Sequence, residues 1–263
     1  MSWGFPTIGF YGRNMEIYGV VNASPDSLAD FSVATTYEAA KTYGQKLLDD
    51  GANHLDLGGQ ASHGDAAMVT PDQEWAILEG PLRGVLELGV KVSVDTWQVE
   101  TARRAFDAGA SVLNAADALQ DDDMLAFAAE RECEVVLPFM LGPDPRHLKH
   151  VEGDPVEVMV SWFGEQLKRA DRFGIRDRVL LDPGTGFAPG HWDWSDRYTY
   201  QKLIYSGLDQ LRKYELPIYV PVPWKQTPDR MELLDIVLRH DIEVVRAHLP
   251  DQVRERHTAV KAE

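Results

Sequence analysis

Eight short apolar runs punctuate the chain, and each is followed by a longer stretch with helical periodicity. The runs are EIYGVVN (16–22), HLDL (54–57), KVSVD (91–95), SVLN (111–114), EVVLPF (134–139), RVLLD (178–182), PIYVPV (217–222) and IEVVRAH (242–248). The helical patterns cover 37–51, 72–89, 98–109, 121–131, 155–173, 198–214, 228–239 and 250–260. A strand buried on both faces reads as a near-continuous apolar run, and strand–helix alternation brings successive strands together in parallel through right-handed crossovers. Eight units close the sheet on itself, which predicts an α/β fold, a (β/α)8 TIM barrel, with residues 1–263 forming a single domain. An open doubly wound sheet is the other arrangement compatible with alternation. It usually carries a GxGxxG turn after its first strand, whereas here the first run leads into NASPDS. The longest connections follow the first, second, fifth and sixth runs, and in a barrel these rise from the face where sites are built.

The formal net charge of −16 repels phosphate backbones and anionic lipid, so neither nucleic acid nor a membrane is expected as a partner. No apolar run reaches the roughly 18 residues needed to span a bilayer. The start, MSWGFPTIGFYGRNM, lacks the basic and apolar regions of a secretory signal, and the lone Cys133 has no internal partner. A cytoplasmic location is the expectation.

The strand ends carry the chemistry. The first run ends at Asn22, the third at Asp95, the fourth at Asn114 and the sixth at Asp182; Lys225 follows the seventh, and Arg246 and His248 end the eighth. One such residue is an ordinary turn or helix cap. In a barrel all of them converge on one mouth, which caps alone do not explain. Paired carboxylates and an amide suit a heterocycle with adjacent ring N–H and amino groups. Lys225 suits a ring carbonyl. Arg246 and His248, one strand step apart on one face, suit an anion such as phosphate. Asn22, with Asp26 and Asp30 nearby, offers oxygen ligands for Mg²⁺.

Five stretches, GVVNASPDSLADF (19–31), LDLGGQASHG (55–64), VSVDTW (92–97), LNAADA (113–118) and LDPGTGF (181–187), resemble the motifs of the dihydropteroate synthase and pterin-binding enzyme family, in that family's order. The resemblance implies a TIM barrel that joins 6-hydroxymethyl-7,8-dihydropterin diphosphate to 4-aminobenzoate, or a variant arylamine acceptor, releasing diphosphate in folate biosynthesis. It implies that Asp95, Asn114, Asp182, Lys225 and Phe187 bind the pterin, with Asp95, Asp182 and Lys225 as catalytic residues. Asn22, Ser62, His63, Arg246 and His248 would face the diphosphate and its loop, and Asn22 would meet Mg²⁺. A homodimer is the family's usual state.

The sequence departs from the family at the acceptor side. GGESTRPG reads GGQASHGD here, so His63 stands where the family has an arginine and Ser62 where it has a threonine. SRKS reads PWKQ, placing Trp224 and Gln226 beside Lys225. The chain is also shortened around the seventh helix, between Lys225 and Arg246, where the family makes dimer contacts. Two other functions share the motifs: pterin binding without synthase activity, and methyl transfer from a reduced pterin, against which the Arg246/His248 pair argues.

Overall fold

The computed structural model of the chain describes residues 14–61, 68–187, 189 and 192–262. Eight strands alternate with eight helices: β1 (Glu16–Asn22), α1 (Tyr37–Asp49), β2 (His54–Gly58), α2 (Pro71–Leu86), β3 (Val92–Thr96), α3 (Val99–Ala108), β4 (Val112–Ala115) and α4 (Asp122–Arg131) form the first half. The second half is β5 (Glu134–Pro138), α5 (Pro155–Arg172), β6 (Val179–Asp182), α6 (Trp194–Ser206), β7 (Tyr219–Pro221), α7 (Pro228–Arg239), β8 (Val244–Ala247) and α8 (Pro250–Lys261). All strand pairs are parallel, in the order β6-β5-β4-β3-β2-β1-β8-β7. A parallel bridge between Leu181 and Ile218 joins the two ends and closes the (β/α)8 barrel.

Alternation along each strand sorts side chains to two places. Outward residues such as Ile17, Val21, Leu55, Leu57, Val92 and Val94 join one large core with the helices. A separate buried cluster of Tyr18, Val112, Val136, Leu180, Tyr219 and Val244 fills the barrel's centre, with one residue from each of six strands. Below it, inward polar residues pair: His54 with Glu16 at 3.1 Å and Lys91 with Glu134 at 2.9 Å. The lower end is therefore plugged, and only the end where the strands terminate is left to hold a ligand.

Helix starts follow local chemistry. Thr70 and Gln73 form a reciprocal capping box at α2, and Asp121, Asp154 and Asp193 accept backbone N–H groups at the starts of α4, α5 and α6. The Asp193 cap starts the sixth helix earlier than the 198–214 pattern predicts, and after Gly207 the chain continues as a 3-10 segment over Leu208–Tyr214. β7 is shorter than the run 217–222: Pro217 has no N–H to donate to a ladder, and Ile218 makes only an isolated bridge to Leu181. No helix among the described residues is long and apolar enough to cross a membrane.

Candidate active site

The inward positions at the strand ends bring Asn22 (β1), Asp95 (β3), Asn114 (β4), Asp182 (β6), Arg246 (β8) and His248 (just beyond β8) to the barrel mouth. All six line one cavity of about 240 Å³, together with Phe187 from the loop after β6. Lys225, in the loop after β7, instead lines an adjoining cavity of about 340 Å³; Arg197, Trp224, Arg246 and His248 are among the residues that line both. Ser62 and His63 lie outside the described residues.

Sequence reasoning missed the residue that organises the floor. Asp56 is fully buried at the middle of β2. Its carboxylate accepts from Arg246 Nε at 2.6 Å and from Asn114 Nδ2 at 3.3 Å. A second Arg246 nitrogen donates to Asp95 Oδ2 at 3.1 Å. Arg246 is thus strung between two carboxylates, which compensate its charge and fix its plane. The signal for Asp56 was present in LDL: an acid at an inward, fully buried strand position needs a cation.

Asp182 is held by its own turn. Its Oδ1 accepts the Gly184 N–H at 2.7 Å, and its backbone carbonyl accepts the Phe139 N–H. Gly184 has φ +71°, and a Cβ there would lie 1.9 Å from the Phe139 carbonyl oxygen, so only glycine fits. At the other side of the mouth, Gly59 ends β2 where a Cβ would meet Leu78 of α2 at 2.5 Å. The flanks of the following loop are tied down: Arg146 donates to the Ala61 carbonyl at 2.9 Å and Gln98 to that of Val69 at 3.3 Å. Gln98 and Thr96 also bond the buried Glu74, whose carboxyl burial pushes upward.

Burial pushes the carboxyls of Asp95 and Asp182 up to about 7 each; Arg246 pulls both back down, and neighbouring acids push up again. Burial, with Arg246 as a like charge beside it, pushes the His248 imidazole down to about 3. His248 is therefore neutral near pH 7, and its buried Nδ1 has no partner among the described residues. The floor as a whole offers several acceptors around one compensated guanidinium. That is a complement for a flat ligand rich in N–H donors.

Asn22 is oriented from behind. Its Nδ2 donates to Ser32 Oγ at 2.6 Å, and Ser32 Oγ donates to the Ala29 carbonyl at 2.6 Å, so none of the described bonds uses the Asn22 amide oxygen. Trp224, Phe31 and His248 meet edge to face with centroids 5.4–6.2 Å apart, forming an aromatic rim, and Lys225 Nζ lies 5.2 Å above Trp224. Among the described residues no group of three His, Cys, Asp or Glu side chains could hold a metal by itself.

The family model described as pterin binding enzyme matches residues 18–249. The dihydropteroate synthase of Bacillus subtilis (strain 168) is 32% identical over 207 residues, covering 77% of this chain and 70% of that protein. The solved Xanthomonas albilineans dihydropteroate synthase with 4-aminobenzoic acid superposes with a TM-score of 0.81 at 25% identity, covering 95% of this chain and 93% of that one. The Xanthomonas albilineans enzyme in complex with 7,8-dihydropteroate gives 0.76 at 26% identity, again with 95% and 93% coverage.

Proposed function

We propose that this chain, which belongs to the pterin-binding enzyme family, is a dihydropteroate synthase-type transferase that condenses 6-hydroxymethyl-7,8-dihydropterin diphosphate with an arylamine and releases diphosphate. The carrying observation is the convergence of Asp95, Asn114 and Asp182 on one cavity whose floor is braced by Asp56 and Arg246. In this reading Asp182 and Asp95 accept the ring N–H and amino donors of the pterin, and Asn114, held by Asp56, presents its amide to the same edge. Phe187 lies against the ring. Lys225 reaches the ring carbonyl from the neighbouring cavity.

The methylene carbon then faces Asn22 and His248, which take the diphosphate, with Arg246 beneath them. His248 acts there as a neutral hydrogen-bond donor, since its pKa lies far below 7. The bond between the methylene carbon and the diphosphate oxygen breaks, and the arylamine nitrogen forms the new bond and gives up a proton. The electron-rich dihydropterin shares the developing positive charge, so no protein nucleophile is required. A single well-oriented amide oxygen fits Mg²⁺ that arrives with the diphosphate, because this ion usually takes one or two protein ligands and completes its shell from phosphate and water. Asn22 Oδ1 would hold it, and the ion would neutralise the departing diphosphate. The reading also places the enzyme in the cytoplasm, where a buried free thiol such as Cys133 stays reduced.

The test is diphosphate release from the dihydropterin diphosphate with 4-aminobenzoate and Mg²⁺. Turnover establishes the synthase; absence of turnover, at protein levels where a reference synthase is fast, overturns it.

A further inference from the structure

The cavity beside the pterin pocket has an unusual electrostatic character for this chain. Acidic residues outnumber basic ones by 42 to 26, yet among the described residues no aspartate or glutamate lines it. Arg197 of α6, Arg230 of α7 and Lys225 do, as does Arg246, whose charge Asp56 and Asp95 compensate; Arg197 stands at the border, lining the pterin cavity too. Arg197 makes no ion pair among the described residues, and its Nε is buried without an acceptor. Arg230 lies 3.4 Å above the Trp194 ring and donates to Thr227 Oγ1 at 3.1 Å. Asp229, next to Arg230 in the chain, is already engaged by Thr227 Oγ1, the Trp194 indole N–H and the Arg230 backbone N–H. Burial, and after it the Arg230 charge, holds Arg197 below its ordinary range. Two like charges sharing a cavity without a counter-ion are a liability in the empty protein and an asset when an anion arrives.

Its position says which anion. Asp95, Asn114 and Asp182 occupy the side of β3, β4 and β6, and Asn22 and His248 occupy the side of β1 and β8. The cationic cavity lies on the remaining side, between α6, α7 and the loop after β7, and two tryptophans, Trp194 and Trp224, line it. Flat aromatic walls leading to cations suit an aromatic ring that ends in an acid.

We propose that Arg197 and Arg230 form the receptor for the acidic group of the arylamine acceptor, and that they set its specificity for acidic over neutral arylamines. The assignment rests on the synthase reading, since it names that reaction's second substrate. It also gives a role to the altered PWKQ segment: Trp224, with Arg197, stands at the junction with the pterin pocket, and Lys225 lines the cavity itself.

The experiment compares Arg197→Gln, Arg230→Gln and the charge-keeping Arg197→Lys in steady-state assays with 4-aminobenzoate and with its neutral analogue 4-aminobenzamide. Each Gln variant is expected to raise the KM for 4-aminobenzoate about tenfold or more. The KM for the pterin diphosphate and the response to 4-aminobenzamide should stay within about twofold, and Arg197→Lys should recover part of the loss. An unchanged KM for 4-aminobenzoate overturns the proposal, as does a rise in the KM for the pterin diphosphate in its place. Because Arg230 also supports Trp194, the Arg197 variants decide if Arg230→Gln fails to fold. If no arylamine turns over, the synthase reading fails. Calorimetry of 4-aminobenzoate with dihydropterin and inorganic diphosphate present then decides the cavity: binding lost in Arg197→Gln supports the receptor, and binding unaffected by it, or none at all, removes it.

Discussion

Replacing Asp182 by Asn should weaken the pterin site and strengthen the fold in the same stroke. Asp182 stands at about 7 in the native protein against 3.8 for an unperturbed aspartate. A group that holds its proton more tightly when folded favours the native state below its unfolded pKa, and that advantage is lost as pH rises through the folded value. At about 1.4 kcal/mol per unit, the ionised Asp182 costs the ligand-free fold up to about 4 kcal/mol at pH 7 and above. Asn keeps the Gly184 N–H acceptor but brings an NH₂ that needs its own partner, returning about 1–3 kcal/mol of that gain. The net expectation at pH 8 is a stabilisation of roughly 1–3 kcal/mol, a rise in Tm of several degrees for a chain of this size. Near pH 4.5 the ionisation cost falls to about 1 kcal/mol, so the gain should vanish or turn into a loss. Ligand binding moves the other way. Charge-assisted bonds from the ring donors to Asp182 become neutral ones, a loss of about 2–4 kcal/mol, or roughly 30- to 1000-fold in Kd. Thermal melts from pH 4.5 to 8.5 and titration with the dihydropterin diphosphate measure both. A Tm that falls at pH 8, a gain that persists undiminished at pH 4.5, or unchanged pterin affinity would refute the reasoning.

The same two carboxyls predict that pterin binding strengthens from pH 6 to 8 and releases protons near pH 7, because ring donors select ionised Asp95 and Asp182; calorimetry in buffers of different ionisation enthalpy would show no buffer dependence if this is wrong. Arg246→Met strips Asp56 and Asp95 of their shared cation and should cost about 3–5 kcal/mol in urea unfolding, whereas a variant of native stability would contradict the bridging role. Gly184→Ala places a Cβ against the Phe139 carbonyl at a positive φ; it should destabilise by about 2 kcal/mol or more and weaken pterin binding with it, both read by denaturation and titration. Asn22→Ala should raise the Mg²⁺ concentration needed for half-maximal turnover about tenfold, with pterin binding in the absence of diphosphate unchanged.

The parts of the site that were legible share one physical property: they lie at fixed phase on strands. Once eight strands are placed, alternation and barrel closure dictate that Asn22, Asp95, Asn114, Asp182, Arg246 and His248 point to the same mouth. Asp56 obeys the same alternation, yet a single acid between two leucines reads equally well as the start of a turn until a cation is found for it 190 residues away. Lys225 was expected beside the strand-end residues, and its place in a second cavity was not legible, because the loop after β7 has no periodicity to fix its direction. Arg197 and Arg230 were illegible for a different reason. They sit on two helices, and whether charged helical side chains point to solvent or across a cavity depends on how α6 and α7 pack. That packing involves Trp194, which bonds Asp229 on its edge and carries Arg230 on its face.

These two classes of residue divide the labour of the barrel. The strand-borne acids are buried or half-buried at fixed positions, and under the proposed function they serve the donor-rich ring. The helix- and loop-borne cations stand around the altered PWKQ segment, Arg197 on α6 before it and Arg230 on α7 after it. A change of acceptor recognition can therefore be accommodated on α6, α7 and the loop after β7 without disturbing the Asp56–Arg246–Asp95 floor. Failure of the Arg197 variants to alter acceptor selectivity would break that division, and would return the changed segment to the scaffold.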